Sequence, residues 1–316
     1  MACEGLYMKK PLISYVLTAY NIEKYIAESV KCAFAQTYEP LEIILSDDGS
    51  TDRTFEIMEK MAAEYQGPHK IVLNRNEKNL GITAHMNKAY LELATGEIVV
   101  AAHGDDVSAA ERTETCYNYL AENPQCTQVS CGAIVCNSDL EPLSDFYQTN
   151  CTVKEKKTYT IETGGKLSVG FTAFRRSVMT AFGPLNDDCP TEDDPIGYRM
   201  LLSGELCFLP DVLIKYRKHE TSSSNAENFI KFPLEKILKQ QNDDMKKAVQ
   251  MGLITEKQRT ELFASLEKAM YIRKKYRAYF ANRNLKTLCM LLAHKGLSLR
   301  RRLSFIKEHL LYLRQG

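Results

Sequence analysis

Short apolar runs alternate with longer amphipathic stretches over residues 11–102. LISYVLTAY follows Pro11 as a β-rich run, and Asn21 then stands as the cap of IEKYIAESVKCAFAQ, where Ile22, Ile26, Val30 and Ala33 recur at helical spacing. LEIILSDD is a second apolar run that stops at acidic residues, and STDRTFEIMEKMAAEY reads as its helix with Ser50 or Thr51 as cap. HKIVLNRN, GITAHMNKAYLELA and GEIVVAAHGDD continue as strand, helix and strand. Repeated strand-then-helix units imply an α/β fold, a mostly parallel sheet flanked by helices on both faces.

From 107 to 222 the pattern loosens. It predicts a helix over 108–122, a strand at QVSCGAIVC, a polar loop over 137–160 and an apolar return at GFTAFRRSVM. TEDDPIGYRMLLSGELCFLPDVLIKYRKH then puts Glu192, Asp193 and Asp194 ahead of a short helix starting near Pro195 and a final strand. After SSSN at 222–225 only long helical patterns remain, so 223–316 reads as a C-terminal helical appendage to a domain over 1–222.

Composition narrows the function classes. The chain has 316 residues, 44% hydrophobic and 26% charged, as an ordinary folded protein has. A formal charge of +1 argues against a dedicated nucleic-acid binder. No apolar run approaches the roughly 18 to 20 residues that cross a bilayer, and the first residues do not read as a signal peptide, so a cytoplasmic protein is expected. The ten cysteines form no CxxC pair and read as reduced, buried apolar residues.

In such sheets function sits at the carboxyl ends of the strands. Here those ends carry Thr18 to Asn21, Ser46 to Ser50 and Ala102 to Asp106, and two of them end in adjacent carboxylates, Asp47-Asp48 and Asp105-Asp106. Either pair alone suits a helix cap or turn. Paired like charges stay ionised only beside a cation or hydrogen-bond donors, which makes a divalent ion with a phosphorylated ligand their natural complement.

The strings LISYVLTAYN, IILSDDGSTDRT, NLGITAHMNKAYLELATGEIVVAAHGDD and TEDDPIGYRMLLSGELCFLPDVLIKYRKH, in that order, resemble the inverting nucleotide-sugar glycosyltransferases of family 2 over about residues 10–222. The resemblance implies the A-type, Rossmann-like fold, with 10–106 as the nucleotide-binding half and 107–222 as the acceptor and catalytic half. It implies a nucleotide site at Thr18, Ala19, Tyr20, Asn21, Asp48, Gly81 and Asp105, with Asp48 on the base. It implies Mn²⁺ or Mg²⁺ held by Asp106 and Asp105 with His219 beside it, and Asp193 as the catalytic base. His219 also reads as a surface histidine after a strand, and Glu192 and Asp194 as helix caps. Two departures from the family pattern stand out. His103 replaces the first carboxylate of the metal motif, and Met86 replaces an arginine expected near the diphosphate, leaving His85, Lys88 or Arg175 as substitute cations.

The implied activity is transfer of a sugar, UDP-linked by the habit of the family, to a glycan or lipid-linked acceptor in cell-surface polysaccharide biosynthesis. A nucleotide-binding scaffold that has lost turnover is the alternative, whereas a dinucleotide-dependent dehydrogenase lacks GxGxxG after the first strand. From 284 onward seven Lys and Arg oppose one Glu, a local charge of +6. Leu299, Leu303, Ile306, Leu310 and Leu313 form an apolar stripe that suits packing, a homodimer or peripheral contact with the inner face of a membrane.

Overall fold

A computed structural model of the chain describes residues 10–147, 171–220, 222, 233–282, 284–293 and several positions between 299 and 310. The described residues form two compact units, one up to 220 and one from 222 onward.

The first unit is built on a nine-stranded sheet. Strands β1 (Ile13–Ala19), β2 (Leu41–Asp47), β3 (Lys70–Arg75) and β4 (Ile98–His103) lie parallel in the spatial order β3-β2-β1-β4. The row continues through β8 (Thr172–Arg175), β6 (Cys126–Cys136) and β9 (Glu205–Arg217) to β5 (Val107–Ser108), with β7 (Pro142–Tyr147) paired to β6. In this second half β8 runs antiparallel to both β4 and β6, while β6 and β9 are parallel. All seven residues of β1 and of β2 are buried, as continuous apolar strands covered on both faces must be.

Helix α1 (Ile26–Phe34) buries Ile26, Val30 and Ala33 at the spacing the sequence displays, in one core with Tyr15, Leu17, Ile43 and Leu45. Each such large aliphatic contributes about 1.5–3 kcal/mol relative to exposure. Helix α2 (Thr54–Glu64) buries Met58 in the same core. Among the described residues this unit also has helices α3 (Ile82–Asn87), α4 (Arg112–Glu122), α5 (Arg176–Phe182) and α6 (Asp193–Ser203).

Four local expectations change. The first helix starts at Ile26, not after Asn21, because Asn21 adopts φ 50° and uses its side-chain oxygen to accept from Thr51 N at 2.8 Å. The second starts at Thr54, whose N–H donates to Asp52 Oδ1 at 2.9 Å, so Asp52 does what was expected of Ser50 or Thr51. The third is α-helical only to Asn87 and continues as a π-helix over Lys88–Leu93, burying Ala89 and Tyr90. Part of the expected 137–160 loop is strand β7, and the rest of it beyond 147 lies outside the described residues.

The second unit contains α7 (Leu234–Gln250), α8 (Glu256–Asn282) and α9 (Leu285–Leu292). Asn284 caps α9 by accepting from Thr287 N at 2.9 Å. Tyr279, Leu288, Leu291 and Phe305 form a small core. Among the described residues no helix is long and apolar enough to cross a membrane.

Candidate functional site

The chain runs outward from β1 to β2 and β3, then returns to the other side of β1 as β4. A crevice opens at such a reversal, outside the carboxyl ends of the two strands that flank it. Thr18 and His103 face each other there in register, and Thr18 Oγ1 lies 3.3 Å from His103 Nδ1.

The turn after β4 is fixed by contacts from far along the chain. A Cβ at Gly104 would lie 2.5 Å from Ile22 Cδ1 and 2.8 Å from Ile26 Cδ1, so a larger residue would have to displace the ends of these two side chains to keep the turn under α1. Ser29 Oγ lies 2.8 Å from Gly104 O and 2.6 Å from Asp106 O. Arg217 closes the turn from the opposite side. Its backbone N–H donates to Asp106 Oδ1 at 2.9 Å and its Nε to Asp105 O at 2.9 Å, while the rest of its guanidinium donates to Ser138 O and to Glu28. The same guanidinium lies 4.6 Å from the centre of the Tyr25 ring, which packs against His219 at 4.7 Å.

These contacts leave the two carboxylates in different electrostatic states. Burial pushes Asp105 up, but the hydrogen bond of its Oδ2 to His219 Nε2 at 3.1 Å and the nearby His103 outweigh it, so its pKa falls below the usual aspartate value. Asp106 is buried beside that charge, and its pKa rises well above 3.8 because burial and Asp105 both disfavour its ionised form. Asp106 Oδ2 has no hydrogen-bond partner among the described residues. An orphaned buried carboxylate oxygen next to an ionised carboxylate fits a divalent cation. Among the described residues no three His, Cys, Asp or Glu form a preassembled cage. Two adjacent carboxylates suit an ion that takes one or two protein oxygens and completes its shell with phosphate and water.

Asp48 is held differently. Oδ1 accepts from Asn76 Nδ2 at 2.8 Å and Leu80 N at 2.9 Å, and Oδ2 accepts from Gly81 N at 3.1 Å. Gly81, at φ 83°, thus gives its amide to this carboxylate. Behind it His85 is buried, with Nε2 2.7 Å from Ser46 Oγ and Nδ1 4.0 Å from Asp48 Oδ2. Burial holds His85 below the ordinary imidazole value, although Asp48 and Asp47 pull it upward. Asp47 is a turn residue that accepts from Ser50 N at 2.9 Å and from the Ser50 hydroxyl, with Arg75 Nε 3.9 Å from its Oδ2, so protein donors and a guanidinium compensate the first acidic pair. A cavity of about 710 Å³ opens beside Asp48, lined by Gly49, Ser50, Thr51, Arg75, Asn76 and Glu77. Asp48 itself, Asp105, Asp106 and Asp193 are not in its lining; its neighbour Gly49 and its hydrogen-bond partner Asn76 are.

The third acidic group stands at the start of α6, in the second half of this unit. Thr83 Oγ1 donates to Cys189 O at 2.6 Å and Asn87 Nδ2 to Leu185 O at 2.8 Å, which seats the segment before α6 on α3. Asp193 is half-buried as the first residue of α6. Glu192 makes no side-chain capping bond, contrary to one expectation, and burial raises its pKa while His103 lowers it. Asp193 and Asp194 occupy the first turn, where the helix dipole favours negative charge. Glu192 and Asp193 are both within electrostatic reach of the buried Tyr90. His103 is thereby the shared neighbour of the constellation, felt by Asp105, by Glu192 and by His85.

Other expectations are redistributed. Ala19 is buried and Tyr20 exposed at the end of β1. The His219 side chain is 5% exposed, so it is no surface residue, and it serves Asp105. Arg175 is not a diphosphate cation. It pairs in register with Ile98 at the amino end of β4 and donates to Cys126 O and Leu120 O, at the wrong end of the sheet. Lys88 Nζ donates to Asn76 Oδ1 at 2.8 Å, next to the Asp48 network, and Met86 is buried. Arg217, Tyr25, Glu28 and Ser29 escaped the sequence reading. For Arg217 the signal was present in a basic residue closing an apolar strand next to His219.

The family model described as Glycosyl transferase family 2 matches residues 14–182, which include the turns bearing Asp48, Asp105 and Asp106. EpsE of Bacillus subtilis is 34% identical over 125 residues, 40% of this chain and 44% of that protein. An uncharacterized glycosyltransferase of Haemophilus influenzae is 27% identical over 244 residues, 73% of each chain. The match to the first of these thus spans less than half of its length. Among solved structures, S. aureus TarS 1-349 in complex with UDP-GlcNAc superposes with a TM-score of 0.61 at 17% identity, covering 89% of this chain and 78% of that one. The Pyrobaculum calidifontis mannosyltransferase in complex with GDP-Man and Mn²⁺ gives 0.53 at 16%, covering 96% and 87%. At such identities the structural likeness establishes the fold, and the sequence match establishes the lineage: the chain belongs to glycosyl transferase family 2.

Proposed function

We propose that this chain is a metal-dependent inverting glycosyltransferase that moves a sugar from a nucleoside-diphosphate donor, UDP-linked, to a hydroxyl of a glycan or lipid-linked acceptor in cell-surface polysaccharide synthesis. The observation that carries the reading is the unpartnered Oδ2 of Asp106 beside Asp105 at the chain-reversal crevice. TarS was crystallised with UDP-GlcNAc and the mannosyltransferase with GDP-Man and Mn²⁺, which supports a donor and ion of these classes.

In this reading the base enters the cavity beside Asp48. Three of roughly four acceptor directions of that carboxylate are used, leaving one for a ring N–H. Asp106 and Asp105 would hold Mn²⁺ or Mg²⁺, which would supply Lewis-acid neutralisation of charge on the diphosphate. Asp193 takes the proton of the acceptor hydroxyl as that oxygen bonds to the anomeric carbon, and the bond to the diphosphate oxygen breaks on the opposite face. The configuration therefore inverts. His219 keeps Asp105 ionised and oriented, and Arg217 keeps the turn in place.

The test is a nucleotide-sugar panel with Mn²⁺, scored for release of nucleoside diphosphate with and without acceptor glycans. Asp193→Asn should leave donor affinity unchanged and lower turnover by about 10²- to 10⁴-fold, the usual worth of a general base. Equal loss of affinity and rate would make Asp193 structural. Tight donor binding with no release from the unaltered protein would favour a nucleotide-binding scaffold, the reading that His103 in place of a carboxylate otherwise supports.

A further inference from the structure

We infer that the last helical stretch of the chain lies flat on an anionic lipid surface. The described residues between 299 and 310 are helical, and they present two faces. One is already occupied: Phe305 is 6% exposed with its ring 5.1 Å from that of Tyr276, and His309 Nδ1 shares a 2.9 Å hydrogen bond with Tyr279 Oη. The other is not. Leu299, Leu303, Ile306 and Leu310, at i, i+4, i+7 and i+11, are 74%, 57%, 37% and 54% exposed. The packing that apolar stripes usually serve is therefore met within this unit by different residues, and the stripe itself remains outward.

Charge identifies the occupant. From 284 onward seven Lys and Arg stand against one Glu, and the exposed Lys307 lies on the helix next to the outward leucines. An apolar stripe flanked by basic residues, too short to span a bilayer, suits the boundary between anionic headgroups and acyl chains. A second copy of this chain suits it poorly. A two-fold contact brings the same patch against itself and would bring together two segments that each carry a sequence charge of +6. This inference does not depend on the reaction proposed above.

Flotation of the full chain tests it, using vesicles of phosphatidylcholine alone and of phosphatidylcholine mixed with phosphatidylglycerol. The unaltered protein should float with the anionic vesicles, should not float with the neutral ones, and should be released by salt. Leu303→Glu with Leu310→Glu should weaken binding by at least about tenfold, since both side chains would otherwise leave water. Lys307→Glu should weaken it less and flatten the salt dependence. Both variants alter exposed positions, and thermal unfolding unchanged from the parent checks that they remain folded. Absence of flotation with anionic vesicles, equal flotation of the leucine variant, or dimerisation that the leucine variant abolishes without any vesicle binding would each overturn the inference.

Discussion

Two carboxylates buried at opposite ends of the same sheet have been treated in opposite ways. Glu42, at the amino end of β2, accepts from Ser14 Oγ at 2.6 Å, Thr95 N at 2.7 Å, Thr95 Oγ1 at 2.9 Å, Gly96 N at 3.2 Å and Lys70 Nζ at 3.2 Å. Burial alone would raise its pKa, yet these donors bring it below the ordinary glutamate value. Asp106, beyond the carboxyl end of β4, has one backbone donor on Oδ1, none on Oδ2, an anionic neighbour and a raised pKa. A fully satisfied buried carboxylate rigidifies a fold, whereas a half-satisfied one costs stability unless something else completes it. By that measure Glu42 serves the fold, and the proposal above gives the open oxygen of Asp106 to a ligand.

Exchanging each charge for its amide should break the contrast in opposite directions. The largest effect is expected from Asp106→Asn, which should lower Mn²⁺-dependent affinity for UDP by at least about 100-fold while leaving the metal-free protein as stable as the parent or more so. Calorimetric titration paired with thermal unfolding reads both. Arg217→Lys cannot reproduce the guanidinium fork that joins Asp105 O, Ser138 O and Glu28. Ion titrations should show about 10- to 100-fold weaker Mn²⁺ dependence, the usual cost of losing a group that orients a ligand. Glu42→Gln should do the reverse of Asp106→Asn, costing about 1–3 kcal/mol in denaturant unfolding through mismatched donors with UDP affinity untouched.

The pH dependence is the subtlest expectation. Because the folded pKa of Glu42 is depressed, its contribution is complete above the unfolded value near 4.5 and is lost as pH falls through the folded value. Asp106 has the opposite sign. Its folded pKa is raised above 3.8, so in metal-free protein its contribution is present below that value and is lost as pH rises through the folded one. Thermal unfolding against pH should show the advantage of the parent over Glu42→Gln shrinking in acid. The advantage of Asp106→Asn over the parent should grow as pH rises above about 4.

Sequence legibility followed the range of the interactions. β1, β2 and β4 were readable because burial on both faces writes a continuous apolar run, and α1 because Ile26, Val30 and Ala33 must repeat at helical spacing to reach the core. The turn Gly104-Asp105-Asp106 stood out as adjacent charges after a strand. The clamp around it did not, since Arg217 lies over 100 residues from Asp105 and Asp106 and 189 from Glu28, and no local pattern encodes such a meeting. Arg175 misled for the same reason. Its charge was visible, but which end of the sheet β8 would present it at depends on antiparallel pairing with β4. Asn21 carries the usual cap signal, an Asn before an apolar repeat, whereas its positive φ and its bond to Thr51 belong to a contact between two loops.

The central claim is that the open oxygen of Asp106 and the adjacent Asp105 complete a divalent-cation site only together with a nucleoside diphosphate. Titration of the unaltered protein with UDP, in saturating Mn²⁺ and again in excess chelator, tests it most directly. The account predicts binding in Mn²⁺ that weakens by more than about tenfold, or 1.4 kcal/mol, when the ion is removed. Equal affinity for UDP in Mn²⁺ and in chelator would contradict it.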